Sequence, residues 1–165
     1  MPADLNSKNQ LLNQSYNIPA ADFTLSDIDG NEFKLSDYIG TPVVLCFFAS
    51  WNDYCFEEFE FLSQTKKDFP DAAFYAISTQ EHSDMSILQN KLAVIEFAED
   101  NGLDLPVLFD SEINDSVYQK LYYVRSLPAT FVIDVDGNIR SIVTSIISAD
   151  APNPYSSTVS TLLDE

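Results

Sequence analysis

The continuous apolar run TPVVLCFFAS, residues 41–50, constrains the fold of this chain more than any other feature. It is β-branched near its start and lacks the polar alternation of a half-exposed strand, so it predicts a central strand buried on both faces. A second run, AAFYAIST at residues 72–79, has the same character. Doubly buried strands are typical of a sheet that is covered by helices.

Helical and turn patterns separate the strands. Residues 53–69 have apolar side chains at helical intervals, and Pro70 ends that pattern. A second helix is predicted over residues 86–102, with Leu88, Leu92 and Ile95 on its apolar face and Gly102 at its end. Further along, a strand over 106–110, a short helix over 113–122 and a closing helix in 153–165 are predicted.

Two Asp-Gly dipeptides lie between short β-type runs and predict hairpins, because Asp-Gly tolerates the positive φ of tight turns. One lies in FTLSDIDGNEFKLSD, residues 23–37, and the other in ATFVIDVDGNIRSIVTS, residues 129–145. The complete pattern predicts an α/β fold with an N-terminal hairpin and an antiparallel pair near the end. We expect an irregular lead-in over residues 1–17 and a single domain over 18–165.

Charge limits the classes of partner. The chain has 165 residues, with 8 basic and 26 acidic side chains and a net charge of −18. Such a surface repels phosphates, which argues against nucleic acid and anionic membranes as partners. We therefore expect a protein or peptide partner, with a basic face as the favourable complement.

No cofactor and no membrane span are expected. The chain has two cysteines and one histidine, His82, too few for a zinc, iron–sulfur or haem ligand set. No apolar run reaches the roughly 18 residues of a membrane span, and no signal peptide is evident. A cytoplasmic location is predicted, or an extracytoplasmic one if a signal or lipid anchor has been removed.

The stretch FASWNDYCFEE, residues 48–58, places a Trp at the end of the central strand and a Cys at the start of the next helix. A second stretch, YYVRSLPATFVIDVDGNI at residues 122–139, has Pro128 directly before a strand. Together with FAEDNGLDLPVLFD they resemble the thioredoxin-like superfamily, and more narrowly its TlpA/ResA-type redoxins, which are related to the AhpC/TSA peroxidases. The resemblance implies a central mixed sheet with helices on both faces.

The motif is degenerate. The family carries Trp-Cys-x-x-Cys, and this chain has Trp51-Asn52-Asp53-Tyr54-Cys55, so Asn52 occupies the position of the attacking thiol. Asparagine cannot attack sulfur, but it is a favoured helix cap. Dithiol exchange needs a second thiol to resolve the mixed disulfide, so a full dithiol reaction is not expected.

Cys55 matches the resolving thiol and is the candidate for residual chemistry. A free Cys titrates near ~8.5, and only its thiolate attacks. A helix N-terminus favours the thiolate by about 0.3–1 kcal/mol, whereas one carboxylate about 4 Å away opposes it by roughly 1 kcal/mol in water. Because Asp53, Glu57 and Glu58 are close in sequence, we expect a sluggish, partly buried thiol.

Several alternatives stay open for the neighbouring residues. Glu58 lies where the TlpA/ResA branch has a glutamate thought to assist proton movement, but it could also be an ordinary exposed helix residue. Cys46 could be a small apolar core residue or pair with Cys55 on oxidation. A one-cysteine peroxidase is disfavoured, because Phe48 and Asn52 stand where that family has Pro and Thr.

The resemblance also implies that Pro128 is a cis-proline beside the motif. Its turn would expose the backbone of Leu127 to an extended peptide, in the manner of strand addition. Trp51, Tyr54, Leu127 and Pro128 are therefore the candidate substrate-binding residues. Two functions follow: a weak monothiol oxidoreductase acting through Cys55, or a redox-inactive peptide-binding module on the same surface.

Overall fold

The apolar strand Val43–Phe48 lies near the centre of a mixed sheet. The computed structural model describes residues 17–50, 55–79, 87–110, 116–144 and 155–165. The strands in these ranges are β1 (Ile18–Pro19), β2 (Thr24–Ser26), β3 (Glu32–Lys34), β4 (Val43–Phe48), β5 (Ala73–Thr79), β6 (Val107–Asp110), β7 (Ala129–Ile133) and β8 (Asn138–Val143). They form one eight-stranded sheet in the order β1-β8-β7-β4-β5-β6-β2-β3, in which β4 pairs in parallel with β5 and antiparallel with β7.

Three α-helices lie within the described ranges: α1 (Cys55–Asp68), α2 (Ile87–Asp100) and α3 (Ser156–Leu163). A 3-10 helix (Leu35–Tyr38) and a short π-helix (Val117–Leu121) complete the described elements. The expected helix over 113–122 is thus a five-residue π-helix within the described residues. It begins where the Asp110 carboxylate accepts hydrogen bonds from the backbone N–H groups of Val117 and Tyr118, at 2.9 and 2.8 Å.

The central strand is buried on both faces, as its apolar run predicted, and every residue of β4 is buried. Val44, Cys46 and Phe48 face one apolar cluster, which contains residues of all three α-helices. The alternate β4 side chains face a second cluster, formed with the N-terminal hairpin, the π-helix and β7. The predicted α/β fold, a mixed sheet with helices on both faces, is therefore confirmed, and the longer helices of the described residues all lie on one face.

Both predicted hairpins form, since β2 pairs with β3 and β7 pairs with β8. Gly137 adopts φ 84° in the second turn, the conformation that favours glycine there. The first described strand begins at Ile18, and residues 1–16 lie outside the described ranges, so the irregular lead-in over 1–17 and the single domain over 18–165 stay predictions. No helix in the described ranges is both long and apolar enough to cross a membrane.

The predicted buried face of α2 was wrong. Leu88 and Leu92 are 62% and 55% exposed, whereas Val94 and Ala98 are buried against the sheet. Ile95 lies between the two faces and packs against the core as a partly buried side chain. The helix has apolar residues on more than one side, so periodicity alone did not decide which stripe the sheet would cover.

Candidate functional site

Helix α1 carries the candidate redox residues along the side that packs on the sheet. Its buried side chains are Cys55, Glu58, Phe59, Leu62 and Thr65, spaced as one helical stripe. Glu58 is only 2% exposed, so the alternative of an ordinary solvent-exposed glutamate is wrong. A carboxyl group inside an apolar stripe is costly unless hydrogen bonds compensate its lost hydration.

Two hydroxyl groups provide that compensation. Thr130 Oγ1 donates a hydrogen bond of 2.6 Å to Glu58 Oε1, and the Tyr155 hydroxyl donates to the same oxygen. Thr130 lies on β7, and Tyr155 directly precedes α3. Both residues are fully buried. One carboxyl oxygen therefore joins the first helix to the sheet and to the last helix.

Burial dominates the ionisation of Glu58. Loss of hydration raises the pKa of Glu58 to about 7, while the hydrogen bond from Thr130 acts in the opposite direction. A carboxyl group with this pKa changes protonation near neutral pH, where an ordinary glutamate is fully ionised. Glu58 is consequently the described residue best suited to accept or donate a proton beside Cys55.

Cys46 is the second thiol of this cluster. It pairs with Thr130 across the β4–β7 ladder and is fully buried. Burial raises the pKa of the Cys46 thiol well above its usual value, and the charges of Glu58 and Cys55 add to that effect, while a hydrogen bond with Thr130 opposes it. Cys46 is thus a protonated core residue that lies close enough to Glu58 and Cys55 to sense their charge. Neither cysteine forms a disulfide bond.

Cys55 is more deeply placed than the sequence suggested. The expected site was partly buried, but Cys55 is 0% exposed and belongs to the apolar cluster formed with β4. Burial favours the neutral thiol over the thiolate. Glu58 opposes a thiolate at Cys55 less than a permanent anion would, because burial raises the pKa of Glu58 to about 7.

The Leu127–Pro128 peptide bond is cis. Leu127 is half-buried and Pro128 is buried, immediately before β7 begins. Because Ala129 pairs with Phe47 near the end of β4, this turn lies at the end of the sheet from which the chain continues towards α1. Leu127, Pro128, Cys55 and Glu58 therefore belong to one end of the structure. Trp51, Asn52 and Tyr54 lie outside the described residues.

Sequence reasoning missed Thr130 and Tyr155. Thr130 gave a weak signal, since it follows Pro128 by two residues and interrupts an apolar strand. Tyr155 gave none that pointed to Glu58, because 97 residues separate the two in the chain. Its spacing with Val159 and Leu162 indicates only a buried helical face.

A cavity of about 230 Å³ lies at the opposite end of the sheet, near the start of β4, and none of the candidate redox residues lines it. Its walls include Asp22 and Asp134. The Asp22 carboxylate already accepts from the backbone of Phe23 and Ser36, and Asp134 accepts from Asp136, Asn138 and Arg140. These carboxylates already have local hydrogen-bond partners. The cavity is not part of the candidate redox site, because it lies at the other end of the sheet.

The mixed sheet, the helix that starts with Cys55 and the cis-proline turn define a thioredoxin-like protein. The profile of the AhpC/TSA family matches residues 17–142. The thiol-disulfide oxidoreductase ResA of Geobacillus kaustophilus is 34% identical over 79% of this chain and 70% of its own length. ResA of Bacillus subtilis is 28% identical over 82% and 71% of the two chains.

Solved structures agree. A secreted disulfide oxidoreductase of Mycobacterium tuberculosis, homologous to E. coli DsbE, is 26% identical with a TM-score of 0.67, over 85% of this chain and 96% of that one. The exposed lipoprotein thioredoxin Etrx1 of Streptococcus pneumoniae is 28% identical with a TM-score of 0.63, over 88% and 100%. The chain belongs to the AhpC/TSA family and is a redoxin of the TlpA/ResA type.

The raised pKa of Glu58 makes the stability of the fold depend on pH. Because the folded-state pKa, at about 7, exceeds the usual 4.5, the folded state keeps a proton that the unfolded chain has lost. The stability that the folded state gains from this proton is fully present below pH 4.5 and is lost as pH rises to 7. We expect wild type to lose about 3 kcal/mol more unfolding free energy than Glu58→Gln between these limits, from 1.36 kcal/mol per pKa unit.

Urea unfolding of both proteins across pH measures this difference. Glu60→Gln is the matched control, since Glu60 is exposed on the same helix and should leave the pH dependence of wild type unchanged. Parallel pH profiles for wild type and Glu58→Gln would show that Glu58 ionises normally.

Proposed function

We propose that this redoxin performs at most a weak monothiol reaction through Cys55, with Asn52 at the position of the missing attacking thiol. The observation that carries the proposal is the place of Cys55 next to Glu58, a possible proton acceptor, on one helical stripe of a chain whose motif has no second cysteine. The family supplies the reaction class, thiol–disulfide exchange, and these residues limit how far it can proceed.

The supported reaction is a single exchange. The Cys55 thiol gives its proton to ionised Glu58, and its sulfur attacks a disulfide in a partner protein. One sulfur–sulfur bond breaks as another forms between Cys55 and the partner, and the released thiolate takes up a proton. Asn52 cannot attack this mixed disulfide, so release of the partner needs a thiol from another molecule.

The second candidate is a redox-inactive module that binds extended peptides. It would use Trp51, Tyr54, Leu127 and Pro128, with the backbone of Leu127 pairing to the peptide. The full burial of Cys55 favours this candidate, since a surface can bind peptide without an exposed thiol. With a net charge of −18, segments that carry basic side chains are the expected partners.

The proposal also concerns where in the cell the protein is located. The sequence predicts the cytoplasm, or an extracytoplasmic site if a signal or lipid anchor has been removed. The M. tuberculosis protein is described as secreted and the S. pneumoniae protein as an exposed lipoprotein, which supports the extracytoplasmic alternative.

The thiol of Cys55 should react slowly in the folded protein. We expect alkylation of Cys55 by iodoacetamide at pH 6 to be at least about tenfold slower than in the urea-unfolded chain. Burial blocks access of the reagent to the sulfur and disfavours the reactive thiolate. Peptide mapping by mass spectrometry separates Cys55 from Cys46. Alkylation at pH 6 as fast as in the unfolded chain would contradict the proposal.

Restoring the missing thiol should restore dithiol chemistry. The variant Asn52→Cys recreates Trp-Cys-x-x-Cys on the family scaffold, so we expect it to catalyse insulin reduction that wild type does not. The double variant Asn52→Cys with Cys55→Ser is the matched control, because it carries the new thiol without its partner and should stay inactive. A folded but inactive Asn52→Cys would argue against a retained redox frame and for the binding module.

A further inference from the structure

The C-terminal helix contributes a polar group to an otherwise apolar contact. Tyr155, Val159 and Leu162 pack into the cluster that contains Cys46 and Cys55, and all are buried. Arg140 on β8 holds the end of the chain by two hydrogen bonds to Glu165, at 3.0 and 3.1 Å. The helix is thus fixed at both ends, and its Tyr155 hydroxyl contacts Glu58 Oε1.

The convergence of two donors on one oxygen separates this contact from ordinary core packing. Thr130 and Tyr155 come from different elements, yet both hydroxyls donate to Glu58 Oε1. Each hydrogen bond is stronger when its acceptor is the ionised carboxylate than when it is the neutral acid. The pair of hydroxyls therefore opposes the effect of burial, which favours the protonated acid.

We infer that Tyr155, together with Thr130, is a positioning residue for Glu58: the two hydroxyls fix Oε1 and keep the buried carboxyl group able to release its proton. The inference rests on the proposed function, in which ionised Glu58 accepts the proton of Cys55. As a consequence, a residue at the start of α3, which is remote in sequence from the redox motif, influences the protonation state of Glu58 beside that motif.

The groups around Glu58 support this assignment. The Cys46 thiol faces it from β4, the Thr130 hydroxyl from β7 and the Tyr155 phenol from the start of α3, while Cys55 lies one turn earlier on α1. Cys46 is held protonated by burial, so it adds no charge near neutral pH. The two hydroxyl donors are groups on these elements that favour the carboxylate.

The test measures the titration of Glu58 directly. We expect Tyr155→Phe and Thr130→Val each to raise the pH midpoint of the Glu58 ¹³Cδ NMR signal by about one unit, a tenfold gain in proton affinity, because a hydrogen bond to a charged acceptor is lost. Both substitutions nearly keep the side-chain volume. Each variant is an independent test of the inference if the other fails to fold.

Two controls separate positioning from packing. Thr130→Ser keeps the hydroxyl and should titrate like wild type, whereas Val159→Ala loosens α3 without removing a donor and should lower stability with no change of midpoint. Wild-type midpoints in both Tyr155→Phe and Thr130→Val would overturn the inference.

The alkylation profile of Cys55 across pH distinguishes this inference from the function on which it rests. If the Glu58 midpoint and the Cys55 profile move together in Tyr155→Phe, both are supported. If the Glu58 midpoint moves and the Cys55 profile does not, the positioning role is supported and the proton transfer from Cys55 to Glu58 is overturned.

Discussion

A carboxyl group buried between a helix and a sheet is the constraint on which this site depends. Glu58 would oppose folding if it ionised without partners, since an unpaired charge in an apolar interior is costly. Hydroxyl groups from β7 and from the start of α3 satisfy it. The sheet, the first helix and the start of the last helix therefore meet at one oxygen atom, and Cys55 lies one turn earlier on the first helix.

The proposed function separates two parts of redoxin chemistry. Glu58, the residue proposed to handle the proton, has a pKa raised to about 7 and lies one helical turn from Cys55. The part proposed to be incomplete is electron transfer, because Asn52 stands at the position of the attacking thiol and Cys55 is fully buried. We propose for these reasons that the protein holds a partner, or performs a single slow exchange, rather than turning over.

The elements that sequence reasoning predicted correctly are those with strong local signals. The run at 41–50 predicted a strand buried on both faces, and the Asp-Gly dipeptides predicted both hairpins. The buried face of α2 was wrong because Leu88 and Leu92 compete with Val94 and Ala98 for the core, and only the sheet decides between them. The resemblance to the redoxin motif singled out Cys55 and Glu58 as candidate site residues, and their roles stay predictions.

The chemistry of the site depended on contacts that no local pattern contains. The burial of Glu58 arises from tertiary packing of α1, and a glutamate three residues after a cysteine reads equally well as an exposed side chain. Tyr155 lies 97 residues from Glu58, so its hydroxyl could be placed only by the fold. Long-range hydrogen bonds to a titratable group are the part of such a site that one sequence does not reveal.

Infrared difference spectroscopy tests the central claim, that Glu58 is a buried acid which titrates near neutral pH. Spectra of wild type minus Glu58→Gln, recorded at pH 6 and at pH 8.5, isolate this one carboxyl group. We expect a protonated-carboxyl C=O band at pH 6 that is replaced by carboxylate bands at pH 8.5, because the pKa of Glu58 is raised to about 7. Carboxylate bands alone at both pH values would contradict a buried acid that titrates near neutral pH.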